Sequence, residues 1–98
     1  MAKEIKSHIF HGKRYAIEFL PDSKMGNYDG LCDSPEVVGK TIKLNKHVSG
    51  FEFLKLVLHE SLHASEFKWD EDTVLEISDD IARFLWRLGY RKKNEPNG

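Results

Sequence analysis

His59-Glu60-Ser61-Leu62-His63 is the one stretch of this chain whose residue types and spacing suggest chemistry of their own. On a helix, positions i and i+4 lie on one face, a turn apart, so His59 and His63 can aim ring nitrogens at a single ion. Zinc takes imidazole nitrogen readily in both structural and catalytic sites. Glu60, one residue along, projects beside such an ion rather than onto it. From there it can accept a proton from a zinc-bound water and later pass that proton to a leaving amine. The pattern is short enough to recur by composition in a chain with five histidines. Its setting raises its weight, because Leu56-Val57-Leu58 precede it and Leu62 lies within it, as a metal-bearing helix inside a fold requires.

A catalytic zinc site ordinarily has three protein ligands and one open position. The acidic stretch that follows, with Glu71, Asp72, Glu76, Asp79 and Asp80, is the natural source of the third. If Ile81 and Leu85 mark the core centre of that second helix, Glu71 lies on the near flank, in phase with Val74 and Ser78. Asp72, Glu76 and Asp79 then turn to solvent, and Asp80 lies on the far flank. Glu71 is the first choice. Glu76 and Asp80 stay open, because an antiparallel pair of helices brings their levels closer to His63 and His59. Each of these acids, taken alone, is also accounted for as N-terminal charge complementing a helix dipole.

Positioning these residues requires a scaffold, and the remaining sequence supplies one. Ile5 to Phe10, a turn at His11-Gly12-Lys13 and Arg14 to Leu20 read as a β-hairpin. Tyr15, Ile17 and Phe19 alternate there with Arg14, Ala16 and Glu18. Residues 21–39, rich in Gly, Asn, Asp and Ser, read as a long loop. Lys40 to Leu44 alternates again as a third strand. A helix from about Phe51 to Phe67 carries Phe53, Leu54, Val57, Leu58 and Leu62. Asp70 is placed to cap a second helix from about Glu71 to Leu88, with Val74, Ile77, Ile81, Phe84, Leu85 and Leu88 as its apolar stripe and Gly89 as its stop. The expected fold is α+β: a small antiparallel three-stranded sheet followed by two packed helices. It forms one domain over residues 1–91 with a flexible tail at 92–98.

The two-helix region resembles the zincin metallopeptidases and, within them, the gluzincin pattern of His-Glu-x-x-His on one helix and a glutamate on the next. More narrowly, three segments look like minimal metallopeptidase-like proteins encoded by bacteriophages and prophages: His59 to Ala64 with Glu71 to Val74, Asp80-Ile81-Ala82, and Leu85 to Arg91. The resemblance covers about the last half of the chain. It implies His59 and His63 as metal ligands, Glu60 as general base and Glu71 as the downstream acid. It also implies that Lys40 to Leu44 borders the cleft, where an extended peptide could add by main-chain hydrogen bonds. The interval from His63 to Glu71 is shorter than in large gluzincins, and no helix precedes the first strands.

Composition sets outer limits. The chain has 98 residues, enough for one domain and one modest core, and a formal charge of −1. It therefore lacks the overall basic field on which phosphate-driven nucleic-acid binding relies. Arg87, Arg91, Lys92 and Lys93 do make the C-terminus basic, and a nucleic-acid contact there is the weakest of three functional readings. No apolar run is long enough to span a bilayer and no signal core opens the chain, so a cytoplasmic protein is expected. The single cysteine, Cys32, cannot form an internal disulfide and reads as a small buried hydrophobe. Tyr28, and less so Tyr90, could supply a phenol to an oxyanion. His8, His11 and His47 lack partners at ligand spacing, and Trp69 and Trp86 read as packing. The leading reading is a zinc metallopeptidase acting on a peptide or protein substrate. The alternative keeps the zinc without catalysis, in a phage-type accessory or host-protein-binding module.

Overall fold

The computed structural model describes residues 5–92. Strand β1 (Ser7–Phe10) pairs antiparallel with β2 (Lys13–Leu20), His8 opposite Tyr15. The two-residue connection places His11 at φ 49° and Gly12 at φ 78°, the left-handed pair whose twist matches that of the flanking strands. Along β2, Tyr15 is fully buried and Ile17 and Phe19 half-buried, while Ala16 and Glu18 face solvent.

The segment 21–39 is not only loop. After a short 3-10 turn at Asp22–Lys24 it contributes β3 (Gly30–Cys32), and β4 (Thr41–Asn45) follows. The sheet therefore has four strands in the order β1-β2-β4-β3. β4 runs parallel to β2, Ile17 beside Ile42, and antiparallel to β3. This corrects the expected three-stranded antiparallel sheet. Three residues are too few for an alternation to register, and β4 follows β3 in sequence yet takes its second pairing from β2, which no local pattern encodes. Buried Asn45 ends β4 and anchors the turn: its Nδ2 donates to Asp22 and its Oδ1 accepts from the His47 N–H.

Helix α1 (Gly50–Ser65) lies between the sheet and α2 (Glu71–Leu88), so nearly every side chain along it is at least partly covered. Toward the sheet, Ala64, Leu56 and Val57 join Tyr15, Ile42, Leu44, Phe10, Ile17, Phe19 and Cys32 in one cluster. Fully burying a side chain of the larger kinds is worth about 1.5–3 kcal/mol, so this cluster is the main source of stability. The helix stops at Ser65, short of the expected Phe67. There the Glu66 N–H closes on the Leu62 carbonyl and His11 Nδ1 lies 2.8 Å from the Ser65 carbonyl.

Helix α2 starts at the expected cap, Asp70, whose carboxylate accepts from the Thr73 N–H at 2.7 Å, and ends at Gly89 with φ 100°. Its contact face keeps Val74 of the expected stripe and departs from the rest. Val74, Ser78 and Ala82 are fully buried against α1, whereas Ile81, Phe84 and Leu88 are exposed and Ile77 and Leu85 only half-covered. The longest apolar residues do not choose the face; small ones do, because they let the two backbones approach. Buried Ser78 satisfies its hydroxyl on the Leu75 carbonyl.

Candidate metal centre

The hairpin of helices brings the C-terminal half of α1 against the first turn of α2. His59 Nε2 lies 2.7 Å from Glu71 Oε1, His63 Nε2 lies 3.0 Å from Glu71 Oε2, and the two Nε2 atoms are 3.1 Å apart. Hydrogen bonds from the two rings to the two carboxylate oxygens account for two sides of this triangle and not for the third, between the Nε2 atoms. Each Nε2 carries either one proton or one lone pair in the ring plane, so it cannot serve both the carboxylate and the other imidazole. Convergence of three ligand atoms on one point suits a cation. Tetrahedral ligands at about 2.0–2.1 Å from zinc stand about 3.3–3.4 Å apart, so an ion would fit after the three atoms part by a few tenths of an ångström. Among the described residues this is the one group of histidine, cysteine and carboxylate side chains so arranged.

Glu71 reaches the histidines because it stands at the head of the Val74-Ser78-Ala82 contact line, near the hairpin turn that also places His63. Glu76 and Asp80 do not join them: neither is among the converging ligand residues, and they are turned about 140° and about 180° around the helix from Glu71. Asp79 instead faces Lys55 of α1 at 4.0 Å and pairs with Arg83 at 2.8 Å.

Glu60 lies about 100° around α1 from His59, which turns it toward the sheet. Its residue is only 5% exposed. Burial, and then the negative charge of Glu71, push its carboxyl up to about 7. What covers it is β3. A Cβ at Gly30 would come within 2.6 Å of Leu56 Cδ1 and 2.9 Å of Glu60 Oε2, so the strand passes this close only because residue 30 is glycine. Asp29, Gly30, Glu52, Lys55, Leu56, His59 and Glu60 line an open groove of about 200 Å³ beside the triangle.

The expected cleft strand, Lys40 to Leu44, does not border this groove by a free edge. As β4 it is paired on both sides, with β2 and β3, so its main chain has no unfilled side. The free edge belongs to β3. Asn45 N–H donates to the Asp29 carbonyl and Asp33 N–H to the Thr41 carbonyl. The antiparallel alternation therefore turns the main-chain groups of Gly30 and Cys32 away from β4. Sequence reasoning missed this element; the available signal was an isolated glycine directly before two apolar residues inside a polar loop.

Cys32 packs against the core, and burial, followed by the charge of Glu60, pushes its thiol up to about 12, which keeps it a neutral thiol. It is not among the converging ligand atoms. Tyr28 and Tyr90 are 60% and 61% exposed and neither lines the groove. His8 packs on Phe10, and His11 sits at the end of α1 beside Glu66. Trp86 stacks edge-on with Phe51 and carries the Arg91 guanidinium 3.3 Å over its ring, and Lys92 lies over Phe53. Arg91 and Lys92 thus fold back on the protein, and Lys93, with the rest of the expected 92–98 tail, lies outside the described residues. Trp69, expected to pack, is exposed. No described helix is long and apolar enough to cross a membrane. No protein-family profile, curated protein or solved structure matches the chain.

Proposed function

We propose that this chain is a zinc-dependent metallopeptidase-like hydrolase in which His59, His63 and Glu71 hold the ion and Glu60 is the general base. The observation that carries the reading is a buried carboxylate, raised toward neutrality, one residue from a converging two-histidine, one-carboxylate triangle. A bound zinc ion supplies Lewis acidity, polarising a carbonyl and acidifying water. The chain's own residues do the rest. Burial raises the Glu60 carboxyl from its ordinary value toward the range of a general base, and from its place beside His59 it can take a proton from water and return it to a departing amine. The open edge of β3 offers the main-chain groups of Gly30 and Cys32 to an extended peptide, which the groove along Asp29, Lys55 and Leu56 would receive. An open groove with a strand edge suits a chain segment better than an enclosed small molecule.

A second reading rests on the size of the core. Seven hydrophobic residues are buried among those described, so an ion that ties α1 to α2 would stabilise the fold even without catalysis. Glu60→Gln separates the two. In the hydrolase, zinc remains stoichiometric in the variant while cleavage of a peptide library falls about 10²–10⁴-fold. Zinc-loaded wild type that cleaves no peptide favours the non-catalytic module, and purified protein that takes up no zinc overturns both readings.

A further inference from the structure

α2 packs on α1 and on no strand to a comparable extent, which leaves its outer flank to solvent. That flank is apolar. Ile81, Phe84 and Leu88 are 38%, 63% and 59% exposed, and Ile77 is half-covered in line with them. Their spacing of four, three and four residues is that of a coiled-coil seam, with Ile77 and Phe84 at d positions and Ile81 and Leu88 at a positions. A seam with this regularity is not needed for the α1 contact, which uses Val74, Ser78 and Ala82.

We infer that this flank is the contact face of a homodimer in which α2 packs antiparallel against α2 of a second copy about a two-fold axis. Charge selects both the occupant and its direction. On the edge of the seam away from α1, the two g positions of this frame are Asp80 and Arg87, both exposed and neither in a salt bridge within the described residues. Antiparallel pairing that sets Ile77 beside Leu88 and Ile81 beside Phe84 brings each Asp80 within about two residues, some 3 Å along the axis, of the other copy's Arg87. The two-fold axis makes that pair twice. Antiparallel pairing also lays the acidic start of one helix, Glu71 to Asp80, over the basic end of the other and opposes the two helix dipoles. A parallel arrangement would set acid against acid, and Asp80 would face Leu85 rather than a cation. The face is self-complementary, as a two-fold interface must be.

Four seam residues per helix bury roughly a few hundred Å² per protomer, below the ~800 Å² of a standard interface, so the dimer is a weak one. Sedimentation equilibrium of the full chain, from about 1 μM to about 1 mM, with zinc and again with chelator, tests it. The expected result is a monomer–dimer equilibrium that Phe84→Glu abolishes. Asp80→Arg and Arg87→Asp, at exposed sites, each raise Kd about tenfold, and the double variant D80R/R87D restores the wild-type constant. Circular dichroism of each variant reports whether the protomer is intact. A monomer throughout this range, association that chelator removes, or a double variant no better than either single reversal would each overturn the assignment. In the first case the flank is solvated or belongs to a different protein.

Discussion

Glu71 is two-thirds exposed, and its carboxylate touches both candidate ligand histidines. Its worth therefore depends on whether an ion is present, and Glu71→Gln measures that dependence. Without metal, an exposed ion-type contact contributes up to about 1 kcal/mol, so in chelator the variant melts within roughly 4–8 °C of wild type. With free zinc at 100 times the wild-type Kd, binding stabilises the wild type by RT ln(1 + 100), about 2.7 kcal/mol. For a domain of this size that raises Tm by roughly 11–22 °C. Replacing a ligand weakens zinc by at least the ~100-fold that removing an outer partner of a metal site can reach. At the same zinc concentration the variant then keeps only RT ln 2, about 0.4 kcal/mol, or roughly 2–3 °C. The assay is thermal unfolding followed by circular dichroism, with and without zinc, and Glu76→Gln as control. The control should keep the full zinc shift, because Glu76 points away from the histidines. A Glu71→Gln variant that keeps the full shift, or a Glu76→Gln variant that loses it, would refute the assignment of the third ligand.

Two further outcomes test the neighbourhood of the site. Gly30→Ala puts a methyl into Leu56 and Glu60, so it should destabilise the fold by about 1–3 kcal/mol in urea titration. It should also lower peptide cleavage more than zinc affinity; loss of neither would mean that β3 does not press on Glu60. At the head of α2, hydrogen bonds from Thr73 hold the Asp70 carboxyl below its usual range. Its share of stability is therefore present above the unfolded value and is lost as pH falls through the lower folded one. The Tm advantage of wild type over Asp70→Asn should shrink between about pH 5 and about pH 2, and an advantage constant across that interval would show that the cap is not titrating.

The boundaries of α2 were legible because its ends carry their own chemistry: a carboxylate that caps the first turn and a glycine that tolerates φ 100° at the last. The β1–β2 hairpin was legible for a similar reason, with alternation in Tyr15, Ile17 and Phe19 and a glycine at the turn. The face of α2 was not. A hydrophobic stripe centred on Ile81 and Leu85 describes what prefers to leave water, but Val74, Ser78 and Ala82 are what allow two helices to come close. Part of the apolar stripe is consequently left outside. β3 was illegible because its three residues bury one side through their neighbours and carry no period of their own.

The sequence by itself determined that His59 and His63 share a helical face and that Glu60 stands beside them, because that geometry follows from residues one turn apart on a single element. It could not decide which acid meets them, since Glu71, Glu76 and Asp80 differ in angle around α2 and that angle has meaning only once α2 has docked on α1. Tertiary structure made that choice through the small residues at the helix contact. It also transferred the free strand edge from β4 to β3, because β2 takes the side of β4 that local pattern left unassigned. Spacing within one element is local and can be read from the chain. The meeting of two elements is set by how closely their surfaces pack, and that emerges only when the chain has folded.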